Sequence, residues 1–537
     1  MQLDKTNVLF VKLIKIVLLC LLVLFVIYPL FKVFSLTNFE VFKGIFSNQR
    51  WLLALKHSLM MMGLSTLTAV GLGFLFAYTM DRVAFFGKNV FRFVTLLPII
   101  SPPFVMGMSY ILLLGRQGLI SNILGINLDI YGWKGLWFVQ TLTFFPISFS
   151  ILYSTLQQLN SGTELAAYNM GAHSGVVFKD VTWPMIRPAI LASILVTSMN
   201  VMADFGNPAV VGGDFVVLST EAYQQMVGNF NLPASSALAI LLLIPAMFMF
   251  VVNQFILKKR SVASMQGKES HQGHYPLPKF TQRFLLLACI LFSVIILLVY
   301  CVLFAGAFTK LWGYDWRFDL GNMQQVLGRH TKEITNTLIV SFSSALISGI
   351  LACVLALILK QTKTKVNQFL EFLTLIVGAI PGTFLGLGYA MAYNNQLFNF
   401  TGSYMIMISA LAFWNLTVYY TTLKAALEQI GDNIIFASRN LGANIWQTLH
   451  KVLLPLMTKA LASGFTVAFL RSSNCLSVIV FIYSVNTSVL TNKILAQVST
   501  GKWGSASALT VILCIIDFFV LGLSRYLIHI INRQKEE

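Results

Sequence analysis

Residues 284–306, "FLLLACILFSVIILLVYCVLFAG", run for 23 positions without one charged side chain. As a helix this stretch would rise roughly 35 Å, enough to cross a bilayer core of about 30 Å. Similar apolar runs occupy 16–34, 53–80, 93–114, 135–157, 187–204 and 235–257 before it. Others follow at 335–359, 367–391, 403–424, 458–482 and 506–528. In lipid every backbone polar group must be satisfied within the protein, and long unbroken runs satisfy theirs as helices. The expected fold is therefore an all-α polytopic membrane protein with about twelve transmembrane helices.

Composition supports that class. Of 537 residues, 57% are hydrophobic and 10% charged, where a soluble domain carries about 25% charged residues. The net charge of +18 could suggest nucleic acid, but its placement argues for topology. Seven segments (1–15, 81–92, 158–187, 258–283, 360–366, 424–459 and 525–537) hold 24 of the 37 Lys and Arg residues. The opposite side holds 12, and Arg471 lies within a span. Such an asymmetry marks the cytoplasmic side, and it puts both termini there. The first run follows Lys5, Lys12 and Lys15 with no small-residue cleavage site after it, so it reads as a retained helix. Cys20, Cys289, Cys301, Cys353, Cys475 and Cys514 fall in or beside spans without CxxC spacing, so neither a disulfide framework nor a zinc site is indicated.

The chain is an internal repeat. "AAYNMGAHSGVVFKDVTWP" (166–184) and "ASRNLGANIWQTLHKVLLP" (437–455) align without gaps at an offset of 271 and share six of 19 residues. Upstream, Pro102, Gly107 and Tyr110 match Pro381, Gly386 and Tyr389. Residues 1–257 form the first repeat, 258–283 a polar basic linker and 284–537 the second. Six spans per repeat is an even number, so the halves are parallel and both polar segments lie on one face, the cytoplasmic one. In the linker, His271 and His274 have no third ligand nearby and read as solvated. Met106 and Met108 read as core packing.

Each polar segment reads as a short helix, a turn at Gly-Ala and a second helix, with Pro184 or Pro455 where the next span begins. Glycine supplies the backbone freedom for the turn, and proline is best tolerated at a helix start. Two copies in one frame describe a paired docking surface for a two-fold partner.

These segments (164–184 and 435–455) resemble the EAA loops of ATP-binding-cassette (ABC) importer permeases. Ala166, Ala167, Gly171, Val181 and Pro184 match in the first copy, and Ala437, Arg439, Gly442, Val452, Leu454 and Pro455 in the second. The family's glutamate is absent: Leu165 and Phe436 hold its place, with Glu164 one residue early, and Ser438 replaces an alanine. "GRQGLI", "DIYGWKGLWFVQTLTFFP", "VMADFGNPAVVGG" and "FLRSSNCLSVIVF" resemble fused, double-length ferric-iron permeases. Thiamine, polyamine and 2-aminoethylphosphonate permeases are close relatives of that group. The resemblance implies a type I importer fold of two parallel pseudo-two-fold six-helix repeats in the bacterial plasma membrane. It also implies ferric iron as cargo, an external solute-binding protein, and a pair of ATPase subunits on the coupling residues Ala166, Ala167, Gly171, Ala172, Pro184, Ala437, Ser438, Arg439, Gly442, Ala443 and Pro455.

The chain has no G-x-x-x-x-G-K-[ST] phosphate loop, HExxH motif or nucleophile–base constellation, so it is expected to be neither ATPase nor other enzyme, with no cofactor or metal site. Ionisable groups at membrane depth are candidates for function. Asn200, Asp204, Arg471, Ser472 and Asn474 are the translocation-path candidates, and the resemblance places the fifth and eleventh spans on that path. They either face it, with an Asp204–Arg471 contact as one arrangement, or bond helix to helix. Asp517 reads as a structural acid, and Glu221 lies on a loop expected to face the delivery protein. An ion-coupled secondary transporter would share the twelve spans, but would leave the paired polar helices unexplained.

Overall fold

A computed structural model describes residues 5–126, 128–159, 161–260, 275–361, 364–394, 399–443 and 445–536. Among them eleven helices are long and apolar enough to cross a membrane, and one bent helix pair makes a twelfth. The first, second, fourth, fifth and sixth spans are Val11–Ser35, Gln49–Arg82, Trp133–Gln158, Ser174–Met202 and Leu232–Gln254. The seventh, eighth, tenth, eleventh and twelfth are Lys279–Ala307, Thr331–Lys360, Tyr404–Gln429, Leu449–Ser473 and Trp503–Ile531.

The third and ninth runs depart from single straight helices. The third is Lys88–Ile100 followed by Phe104–Leu114. The ninth is Lys365–Ala379 and Gly382–Ala392, bent by 109°. Proline explains both breaks, because the residue before it is pushed out of the α region. Ser101, before Pro102, has ψ 158°, and Ile380, before Pro381, has ψ 121°.

The chain divides into two compact units. One comprises Asn38–Val326 and Ile494–Val511, the other Met1–Thr37, Leu327–Lys493 and Ile512–Glu537. In the first, the second and fourth spans pack most extensively. Gly73 permits this approach, since a Cβ there would fall 2.8 Å from the Phe149 backbone nitrogen. The seventh span also belongs here: Tyr300 and Ser101 hydroxyls lie 2.6 Å apart, and Trp312 Nε1 donates to the Leu112 carbonyl at 3.2 Å.

In the other unit the eighth and tenth spans form the main pair. The first span packs here, against the ninth. It widens to a π turn at Val23–Ile27, where the Tyr28 N–H reaches back to the Val23 carbonyl. That takes the usual donor from the Leu24 carbonyl, and the Tyr393 hydroxyl supplies another at 2.7 Å. Tyr389 donates to the next carbonyl, Phe25, also at 2.7 Å. The opening helix of each half thus packs in the unit built mainly from the other half.

The polar segments correct one expectation. Pro184 and Pro455 do sit second in the α-helical stretches Trp183–Met202 and Leu454–Ser473, but neither marks where its span begins. The fifth span is continuous from Ser174, with a π turn at Val177–Thr182 immediately before the proline-bearing stretch. The eleventh repeats this, with Ile445–Thr448 running into a π turn at Leu449–Leu453. Trp183 and Leu454 donate backbone bonds five residues back, to Phe178 and Leu449. Proline lacks an N–H and crowds the carbonyl four residues earlier, and a widened turn accommodates both defects. The eleventh helix also ends at Ser473, short of the expected 482, and Ile479–Phe481 is a 3-10 turn.

Candidate functional site

The two polar turns share one backbone design. Helix Ser161–Asn169 ends at Gly171, with φ +93°, and helix Asp432–Asn440 ends at Gly442, with φ +83°. Ala172 N–H donates to the Ala167 carbonyl at 3.2 Å, and Ala443 N–H to the Ser438 carbonyl at 3.1 Å. These are the six-to-one bonds of a Schellman cap, which needs a left-handed residue just past the helix. Nothing lies within 4 Å of where a Cβ would sit on either glycine, so both serve the backbone and not close packing.

Ala166, Gly171, Pro184, Ala437, Gly442 and Pro455 are exposed, while Ala167, Ala172, Ser438 and Ala443 are half-buried. The side chain of Arg439, and both His271 and His274, lie outside the described residues. A feature that sequence reading missed stands at the tips. Met170 and Leu441, one from each copy of the repeat, are 83% and 88% exposed. They are large apolar side chains at equivalent positions, 271 residues apart. Their equivalence was readable, but exposure was not.

The turns are held differently. In the first, Glu164 points inward, where Arg82 Nη1 and Nη2 donate to its carboxylate at 2.5 and 2.9 Å. Both side chains are 1% exposed. Thr182 Oγ1 also donates to Glu164, at 2.6 Å. A buried carboxylate needs this full set of partners. The second turn is held by a Ser438–Thr448 hydroxyl pair at 3.0 Å. Nearby Lys360, at the end of the eighth span, donates to the Leu427 and Ile430 carbonyls at 2.7 and 3.0 Å.

The polar residues at depth separate into two kinds. Asp204 is buried, accepting from Gln140 Nε2 and Asn207 Nδ2, both at 3.0 Å, while Ser65 donates to Gln140 at 3.0 Å. Ser472 is buried, accepting from Ser344 and Asn415 at 2.9 Å each, and Asn474 is buried beside it. Asn200 is exposed and donates to the Val196 carbonyl at 2.8 Å. Arg471, half-buried, lies 4.4 Å over the Trp414 ring, a cation–π contact. Asn200 and Arg471 occupy equivalent positions in the two repeats.

Asp517 is a buried acid accepting from Ser473 at 2.7 Å, consistent with its structural reading. Glu221 corrects an expectation. Its carboxylate is buried, paired with Arg50 at 2.8 Å and bonded by Gln225 at 2.8 Å, so it does not face a partner. Met106 and Met108 are buried in the core. The six cysteines are free thiols.

Residues 69–262 match the family model "Binding-protein-dependent transport system inner membrane component". A Haemophilus influenzae protein named for ferric transport, permease FbpB 1, is 30% identical over 448 residues, 81% of this chain and 70% of that protein. The chain belongs to this permease family. A ferric transport system permease protein (FbpB) of Actinobacillus pleuropneumoniae is 29% identical over 482 residues, covering 87% of this chain and 70% of that one. A solved bacterial alginate ABC transporter, in complex with its alginate pentasaccharide-bound periplasmic protein, aligns at a TM-score of 0.40 and 16% identity. That alignment covers 49% of this chain and 96% of that one.

Membership makes the chain a multi-pass, non-catalytic permease subunit of an ABC importer. Such a subunit works with an ATPase subunit and an external solute-binding protein.

Proposed function

We propose that this permease admits ferric iron, delivered by an external binding protein, and is driven by a pair of ATPases docked at the two glycine turns. The observation that carries the docking is the bared pair Met170 and Leu441 on matched turns. Ala166, Ala167, Gly171, Ala172, Pro184, Ala437, Ser438, Arg439, Gly442, Ala443 and Pro455 supply the coupling surface. The basic-residue asymmetry supports a bacterial plasma-membrane protein with turns and termini in the cytoplasm. Residues 1–257 and 284–537 act as the two repeats, rocking between inward-open and outward-open states.

The names of the two ferric permeases support the cargo. Among the described residues no group of three His, Cys, Asp or Glu could hold a metal ion. Selectivity for iron is thereby assigned to the binding protein, and this chain supplies a passage. Of the path candidates, Asn200 is exposed enough to face cargo, and Arg471, half-buried over Trp414, takes the equivalent place in the second repeat. Asp204, Ser472 and Asn474 shape the walls through helix-to-helix bonds.

Proteoliposomes carrying the whole assembly test the cargo. ATP-dependent and binding-protein-dependent uptake of ferric iron is expected, with none of thiamine, a polyamine or 2-aminoethylphosphonate. Uptake of one of those three in place of iron would overturn the assignment while keeping the permease class.

A further inference from the structure

The first turn has a neighbour that the coupling reading does not use. Tyr275, near the end of the linker, is 2% exposed. Its hydroxyl lies 3.2 Å from that of Tyr78, and its ring stacks 6.3 Å from that of Tyr168 on the polar helix. The Arg82 guanidinium sits 5.5 Å over the same ring. This is the arginine that grips Glu164. One cluster therefore ties together the end of the second span, the first polar helix, the π turn of the fifth span at Thr182, and the linker.

Beyond Tyr275 the linker stays fixed. Leu277 is buried, and its carbonyl accepts from Gln282 Nε2 at 2.8 Å. Pro276 and Pro278 face outward, and two prolines so close together leave little backbone freedom. Between this strip and the turn lies a cavity of about 580 Å³. Tyr168 and residues 171–174 line one side, and residues 276–278 the other. Its size suits one or more large side chains, and it opens beside the turn that bares Met170.

We propose that linker residues 276–278 form the second wall of the first ATPase-docking site, making it a groove that seats an apolar side chain of the ATPase. This rests on the reading that the turns meet the ATPase. The groove is continuous with the Gly171 turn, its linker wall is proline and leucine, and the Arg82 cluster holds both walls in one frame. The linker thus becomes part of the coupling surface as well as a tether between repeats.

Photo-crosslinking in the reconstituted assembly tests the two ideas separately. A photoreactive phenylalanine analogue is placed at position 170 in one variant and at 276 in another. ATPase adducts, identified by peptide mass spectrometry, are expected from both. An adduct from 170 with none from 276 overturns the linker wall and keeps the turn. An intrachain adduct from 276 does the same, since the groove is then filled by this polypeptide. Absence of both overturns the docking reading and the inference together. As a second measure, Tyr275→Ala, which unpins the linker wall without touching the ATPase, is expected to weaken ATPase binding in nanodiscs about ten-fold. Tyr275→Phe, which keeps the ring stack, should fall between Tyr275→Ala and wild type. If Tyr275→Ala does not fold, the double variant Pro276→Gly/Pro278→Gly replaces it, because it leaves the cluster intact. Unchanged affinity in that double variant also overturns the proposal.

Discussion

The two glycine turns share a backbone and differ in what braces them. Each has a capped helix, a left-handed glycine, a π turn and a proline in the same frame. The first is locked to the second span by Arg82, Glu164 and Thr182; in the second, Ile435 and Leu453 stand at the positions of Glu164 and Thr182, and the Ser438 and Thr448 hydroxyls pair at 3.0 Å. Duplication conserved the shape required of the surface, whereas the means of holding it diverged. An ion pair sealed from water is also the more brittle brace, because removing either member leaves the other charge uncompensated.

The largest expected effect tests that brittleness. Arg82→Met strands the Glu164 carboxylate and should cost about 3–5 kcal/mol, seen as a lower melting temperature of the purified permease. A loss no larger than that of Ser438→Ala, about 0.5–1.5 kcal/mol, would erase the contrast with the second turn. The paired change Arg82→Met/Glu164→Leu should recover only part of the stability, since it removes the Glu164 charge but leaves the buried Asp81 carboxylate, 3.0 Å from Arg82 Nε, without its arginine.

Thr182→Val comes next, at about 1.5–3 kcal/mol for a bond to a charged group. Repeating it in a Glu164→Gln background should shrink the effect; additivity would show that Thr182 acts elsewhere. Gly171→Ala and Gly442→Ala should each destabilise by about 1–2 kcal/mol, the penalty of a left-handed backbone with a Cβ. Because neither site is crowded, the two losses should match. A clear inequality in melting temperature would mean that the turns are less alike than their φ angles. Ser438→Ala should be the mildest, about 0.5–1.5 kcal/mol, and a loss as large as that of Thr182→Val would reverse the ranking of the braces.

What could be read in advance follows from the range of each signal. Hydropathy is a local sum, so the membrane runs were legible, as was the ungapped repeat. The Gly-Ala turn was legible because a Schellman cap needs a particular residue at a particular place. Bends were not, since apolar length says nothing of direction, although Pro102–Pro103 and Pro381 were available as signals. Pro184 and Pro455 were placed at helix starts because that is where proline costs least; a π turn is another solution, and nothing in the composition announces it. Glu164 was noted for being out of frame with the family's glutamate. Its inward turn depends on Arg82, two spans earlier in the chain, and on Tyr275, beyond the sixth span. The same holds for Glu221: a loop acid looks solvated until its arginine, Arg50 at the start of the second span, is known.

The exchange of opening helices has a consequence for how the polypeptide is made. The first span emerges from the ribosome early, yet its tyrosine partners, Tyr389 and Tyr393, belong to the ninth. Until they arrive, the carbonyl stripped of its donor by the π turn has no hydroxyl to meet. Domains often fold as they are synthesised, the N-terminal one first. This chain cannot follow that order, because one unit draws on residues up to Val511 and the other on residues beyond Ile512. The first helix must therefore wait in the bilayer for most of translation, and final assembly is a late event.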